Sequence, residues 1–271
     1  MKALIISILV SIISFTSCEE NKPTKVFEIE EKEEYKTQTD INIGSYEFYL
    51  SPGSIGNQII YHNNYSLSYN EEAEQADWVF YKLTNSCISA SIERSNDFRV
   101  DPLVNEGSAA LKDYHGSGYD RGHMAPAGSM KVDAQSMSQS FYMSNMSPQS
   151  AGFNRGVWKR LEEKVRYWVE GNDSIFVVTG PILDSPIDSI GDNNVAVPRA
   201  YYKTLLAYKD TTVMGIGFLL PHEKSDKSLY SFAVSIDSIE VITGIDFYAN
   251  LDVATQTKVE SNSSVKSFIF K

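Results

Sequence analysis

The run Gly118-Tyr119-Asp120-Arg121-Gly122-His123-Met124-Ala125-Pro126 sets an arginine two residues before a histidine, between small and ring-constrained neighbours. A second polar cluster, Asn145-Met146-Ser147-Pro148-Gln149, comes next, followed by Asn154 and Glu162. Arginine, histidine, asparagine and glutamate are the residue types that metal-assisted cleavage of a phosphodiester requires. A guanidinium holds a phosphate through paired hydrogen bonds, and an imidazole takes a proton from water. An amide oxygen ligates a hard cation, and a carboxylate orients water on that cation.

Such side chains need rigid elements to carry them. Tyr119 to Ala127 is bounded by glycine and proline, which predicts a strand running into a loop. Phe141 to Met146 reads as another short strand. About Arg155 to Glu170 is the strongest helix, with an apolar stripe of Val157, Trp158, Leu161, Val165, Trp168 and Val169 and a stop at Gly171-Asn172. Asn154 stands at its entrance and Glu162 eight residues on, with Trp158 midway. Spacings of four and eight place the three on roughly one helical face. Further strands are expected at Tyr65–Asn70, Ala76–Leu83, Ser174–Gly180, Tyr201–Leu206 and Thr212–Leu220, the last two paired through Lys209-Asp210. Ser228–Ile236 and Ser238–Thr243 complete the mixed core. Short strands with a few helices indicate an α+β domain, a central antiparallel or mixed sheet with flanking helices.

At these positions the chain resembles the DNA/RNA non-specific endonucleases, the family that includes endonuclease G and secreted bacterial nucleases. The resemblance runs from Tyr65 to about Tyr248 and takes in Phe98 to Pro102 and Gly217-Phe218-Leu219-Leu220-Pro221. It implies a ββα-metal nuclease fold and sequence-non-specific endonucleolytic cutting of DNA or RNA that leaves 5′-phosphates. By the same resemblance, His123 is the general base, Arg121 steadies the substrate phosphate, and Asn154 ligates Mg²⁺, with Mn²⁺ as the alternative ion. Glu162 lies beside the metal and Asn145 supports the site. An upstream arginine is expected near Asp101-Pro102, and Arg94 and Arg99 both lie close enough to serve. Arg155 is a further substrate contact. Relatives of endonuclease G often form homodimers, and the residues leave that state open.

The net charge of −11 runs against a polyanionic substrate, whose binders are usually basic. Residues 18–40 hold eight acids against four bases, and residues 41–271 keep 27 acids against 19 bases, a net of −8. A nuclease would therefore need a local basic groove, for which Arg94, Arg99, Arg121, Arg155, Lys159, Arg160 and Arg199 are available. Weak nonspecific affinity and strong salt sensitivity are expected to accompany it.

The N-terminus bears on the compartment. A basic start at Met1-Lys2, an apolar run from Ala3 to Phe15 and small residues Thr16-Ser17 before Cys18 read as an export signal over residues 1–17. Cleavage before Cys18 and acylation there would make a bacterial lipoprotein, anchored in the outer membrane or at the cell surface; without the lipid the chain would be periplasmic or secreted. Residues 18–43 are rich in Glu, Lys and Thr and read as a flexible tether, leaving residues 44–271 as the nuclease domain. Cys87 then has no disulfide partner and reads as a small core residue at a strand end.

The remaining candidates have plainer readings. His115 is expected in a surface loop, and His62 and His222 as structural. Trp158 and Trp168 belong to the helix core, and Gly122 and Gly128 relieve backbone crowding near the histidine. Lys159-Arg160 reads equally as a solvated face or a phosphate contact. Two other functions stay open: a surface lipoprotein that binds nucleic acid without cutting it, and a metallophosphodiesterase for small esters.

Overall fold

In the computed structural model the described residues are 50–53 and 56–268; the expected export signal and tether, with Cys18, lie outside them. The elements run β1 (Gln58–Tyr61), β2 (Tyr65–Asn70), β3 (Gln75–Leu83), α1 (Asn85–Ser89), α2 (Leu111–Tyr114), β4 (Tyr119–His123), α3 (Ala134–Gln139), β5 (Met146–Ser150) and α4 (Lys159–Val169). They continue as β6 (Ser174–Pro181), β7 (Asp188–Ile190), β8 (Val195–Val197), β9 (Ala200–Lys209), β10 (Thr212–Pro221), β11 (Ala233–Val234), α5 (Ile236–Thr243), α6 (Val253–Glu260) and α7 (Val265–Phe268).

Seven strands form one sheet in the order β1-β2-β3-β6-β9-β10-β11, antiparallel at every pairing. Side chains alternate across a strand with period two, so each central strand feeds two cores. On one face Val79, Tyr81, Val177, Leu205 and Phe218 meet Val157, Trp158, Leu161, Val165 and Trp168 at the start of α4 and along it. On the other, Trp78, Phe80, Phe176, Val178 and Leu206 meet Ile236 and Ile239 of α5 and Val259 of α6. Burial on both sides explains the near-continuous apolar runs of β3, β6 and β9. The domain is α+β, a sheet between helical layers.

The predicted apolar stripe of α4 is buried at all six positions. The β9–β10 hairpin turns at Asp210-Thr211, one residue beyond the expected Lys209-Asp210, with Lys209 paired to Thr212 and Asp210 at φ +50°. Ser238–Thr243, grouped only with the core, is the body of α5: the Ser235 hydroxyl caps it by accepting from Ser238 N, and Gly244 ends it at φ +69°.

Two local expectations are corrected. Phe141–Met146 is not a strand. Arg99 bridges Tyr142, and then Met143–Asn145 forms a single 3-10 turn, closed by Asn145 N donating to Tyr142 O at 3.0 Å. The strand proper is β5, displaced to Met146–Ser150, where Pro148 is accommodated in a two-stranded ladder. Cys87 is not at a strand end but inside the short helix α1, because β3 stops at Leu83 and Cys87 N turns back onto Thr84 O at 3.0 Å. Its thiol is free and buried, as a small core residue should be.

Candidate active site

Strands β4 and β5 pair antiparallel outside the main sheet, with Asp120 opposite Gln149, Gly122 opposite Ser147 and His123 opposite Met146. The helix that follows β5 completes a strand–strand–helix unit. Gly122 is demanded by close packing: a Cβ there would lie 2.2 Å from the Gln149 side chain. The crowding that Gly122 relieves is against the Gln149 side chain, on the strand paired with the one that carries His123. At Gly128 a Cβ would stand 3.2 Å from the Arg166 guanidinium.

Asn145 braces the turn after the histidine. Its Oδ1 accepts from Ala125 N at 2.8 Å, and its Nδ2 donates to Ala125 O at 3.0 Å and to Ser140 O at 2.8 Å. Fully buried, it satisfies three backbone groups and does not line the cleft. It holds the site rather than touching what enters it.

His123 ends β4 with its ring edge-on to Phe141 at 4.8 Å and to Phe98 at 5.8 Å between centroids. Among the described residues neither ring nitrogen has a hydrogen-bond partner, and Nε2 is buried. Burial, then the charges of Arg94 and Arg121, pushes the imidazole down to about 3. It is neutral at physiological pH, with its lone pair unspent on protein.

The two arginines lie on the same aromatic rings that frame the histidine. Arg121 stacks 4.0 Å above Phe98, and Arg94 4.6 Å above Phe141. Arg121 has no hydrogen-bond partner for its guanidinium among the described residues, while Arg94 spends one bond on Asn96. Stacking fixes the guanidinium plane and leaves its edge for an anion.

Asn154 precedes α4 in a widened turn, Phe153–Trp158, where Gly156 has non-helical angles of φ −103° and ψ −110°. That irregularity breaks the simple spacing argument. Trp158 is fully buried, with Nε1 donating to His123 O at 3.4 Å, while Asn154 and Glu162 both line the cleft. Asp120 holds Asn154 by accepting from its Nδ2 at 3.0 Å, and accepts two further bonds from Arg155 at 2.8 and 2.6 Å. Burial acts to raise the Asp120 carboxyl, but bonds from Arg155 and Asn154 outweigh it and hold it below its ordinary range. With the nitrogen engaged, the Asn154 amide offers its oxygen.

Glu162 makes no hydrogen bond or ion pair among the described residues. Burial pushes its carboxyl up, against the charges of Lys203, Arg166 and Arg94. Lys203, on β9 beneath α4, is fully buried without a hydrogen-bond partner, its ammonium 4.6 Å over the Trp158 ring. Burial pushes Lys203 down and Glu162 supports its charge. Neither Asp120 nor Lys203 figured among the sequence candidates. The signals were there: an acid inside the motif, and a lone charge in the apolar run Tyr201–Leu206.

Around these groups lies a cleft of about 460 Å³, lined by Arg94, Arg121, His123, Asn154, Arg155, Lys159, Glu162 and Arg166 among others. Five basic residues against one carboxylate supply the local positive groove that an acidic chain needs. The structure thus brings Arg94 to the site and not Arg99, which lies 4.1 Å over Tyr142 and bonds Asp97 and Ser138. Arg160 donates to the backbone of Ser225 and Lys227, and Arg199 pairs with Asp184, so neither reaches the cleft. His115 is exposed in a loop, His62 is buried against Asp101 at 2.9 Å, and His222 accepts from Ser150 N at 2.7 Å.

Asn154 Oδ1 and Glu162 offer two hard oxygens with no competing protein partner. A small divalent cation that keeps most of its water and takes few protein ligands fits that donor set.

Residues 48–254 match the DNA/RNA non-specific endonuclease family. The chain is 33% identical over 209 residues to the mitochondrial nuclease EXOG of Mus musculus, covering 70% of this chain and 57% of that protein. It is 36% identical over 209 residues to nuclease C1 of Cunninghamella echinulata var. echinulata, covering 71% and 83%. It thus spans little more than half the length of the mouse relative and most of the fungal one. Among solved structures, a chain in the crystal structure of the EndoG/EndoGI complex superposes with a TM-score of 0.74 at 31% identity, covering 84% of this chain and 99% of that one. With the strand–strand–helix unit and its basic cleft in place, the match over residues 48–254 establishes that this chain belongs to the DNA/RNA non-specific endonuclease family.

Proposed function

We propose that the chain is a Mg²⁺-dependent endonuclease, with Mn²⁺ as substitute, that hydrolyses phosphodiester bonds in DNA or RNA without sequence preference. The observation that carries this reading is the meeting, in one basic cleft, of a neutral unpartnered imidazole, two ring-stacked arginines and two free oxygen ligands. His123 takes the proton from the attacking water, a role for which its ring is kept unprotonated and free of protein hydrogen bonds. Arg94 and Arg121 hold non-bridging phosphate oxygens and stabilise the charge that grows there in the transition state. Asn154 and Glu162 would hold the cation, Asn154 kept in orientation by Asp120. When bound, the ion supplies Lewis-acid stabilisation of the phosphoryl and leaving oxygens. Contacts confined to phosphate carry no base information, which supports cutting without sequence preference.

The proposal includes export of the chain and acylation at Cys18, supported by the apolar run Ala3–Phe15 and the small residues before the cysteine. No described helix is long and apolar enough to cross a membrane. Loss of activity from the membrane fraction in Cys18→Ala checks the anchor, and sedimentation checks whether the domain is a homodimer. The central test is digestion of supercoiled plasmid with Mg²⁺ and with EDTA, beside His123→Ala. Metal-dependent nicking that vanishes in the variant supports the reading. A folded protein that binds DNA without cutting it under any divalent metal returns it to a binding lipoprotein, and cleavage of small diesters alone to a metallophosphodiesterase.

A further inference from the structure

On the face of the sheet opposite α4, helices α5 and α6 bring three carboxylates together. Oxygens of Asp237, Glu240 and Glu260 all lie within 4.8 Å of one another. Acidic clusters on surfaces are common, and two features set this one apart. Glu260 is only 5% exposed, and its Oε1 has no hydrogen-bond partner. A buried carboxylate beside two other carboxylates is costly unless a proton or a cation lies between them. Moreover, no lysine or arginine among the described residues pairs with any of the three.

The backbone holds the cluster in place. Gly215 of β10 packs so closely under α6 that a Cβ there would lie 2.5 Å from Val259 O, the residue before Glu260. Glu240 is steadied by Phe247 N, which donates to its Oε1 at 2.8 Å and leaves the second oxygen available. Asp237 and Glu240, three residues apart on α5, share one helical face. The carboxylates therefore cannot separate by moving a flexible loop.

We propose that Asp237, Glu240 and Glu260 form a calcium site, distinct from the catalytic cleft, that clips α5 to α6 on the far side of the sheet. Three carboxylates on one ion suit calcium, which takes about six to eight oxygen ligands, better than magnesium, which keeps several waters and is usually held by one or two carboxylates. Water completes the shell on the exposed Asp237 side.

Thermal unfolding of the full-length chain in CaCl₂, MgCl₂ or EDTA tests this independently of nuclease activity. Calcium at about a hundredfold excess over its Kd raises Tm by roughly 5 °C or more. The rise persists in Asn154→Ala, which removes a ligand from the cleft, and is lost in Asp237→Asn and Glu260→Gln. Asp237 is exposed, so Asp237→Asn folds whatever Glu260→Gln does. No shift with about 10 mM calcium, tenfold above the weakest extracellular sites, overturns the proposal. So does a shift that survives Asp237→Asn, one that disappears in Asn154→Ala, or an equal shift with magnesium.

Discussion

The Asp120 carboxylate accepts a hydrogen bond from the Asn154 side-chain amide at 3.0 Å, and that contact ties the histidine strand to the turn that opens α4. It decides which end of the amide faces the cleft. Asp120→Asn keeps the shape but can present an NH₂ group to Asn154 instead of an acceptor, freeing the ligand to rotate. We expect a loss of about 10- to 100-fold in activity or metal affinity. Plasmid nicking across a Mg²⁺ titration checks it: the half-maximal concentration should rise in Asp120→Asn and more steeply in Asn154→Ala.

His123 predicts both a rate and a pH effect. His123→Ala should lower turnover at least about 10²-fold with unchanged circular dichroism. Its folded pKa, about 3, lies below the unfolded value of 6.5. The unfolded chain therefore binds a proton that the folded chain refuses, and the associated stability is complete above pH 6.5 and is lost as pH falls toward 3. From pH 6.5 to 5 the loss is about 2 kcal/mol. Urea unfolding at pH 7 and pH 5 should show a smaller difference in His123→Gln than in the wild type.

Arg94 and Arg99 separate by function. Arg94→Ala should reduce kcat/KM by about 10-fold or more and flatten its salt dependence, since one phosphate contact is lost. Arg99→Ala should keep kcat/KM within about 2-fold and instead lower Tm, because Arg99 bonds Asp97 and Ser138 away from the cleft. Equal catalytic losses in the two variants would contradict the assignment.

Asn145→Ala leaves the amide of Ala125 and the carbonyls of Ala125 and Ser140 without their partner. Each unsatisfied buried group costs about 1–3 kcal/mol, so a total near 3 kcal/mol or above is expected in chemical denaturation. Activity should fall with it at temperatures where the variant remains folded, because the turn after His123 is no longer held.

Much of the site was legible because it is local in sequence. The motif from Asp120 to Pro126, the asparagine before Pro148-Gln149, and the Asn154–Glu162 pair each span only a few residues of chain, and residue type alone limits their chemistry. The family resemblance followed from those same residues, and the helix was legible from its apolar stripe. Phe141–Met146 misled because an apolar run of six suits a strand and a buried turn equally. The winner was set by backbone bonds to Arg99 and by Asn145 reaching back to Ala125 and Ser140.

Only the tertiary structure chose between Arg94 and Arg99, since both stand within reach of the motif along the chain and only packing on Phe141 or Tyr142 separates them. The same holds for Lys203, separated from Glu162 by forty-one positions in sequence yet acting on its charge. Composition, residue type and short-range period decide what chemistry is available and which face of an element is apolar. Which charge ends up beside which depends on long-range strand pairing, and on the burial that removes the water between them.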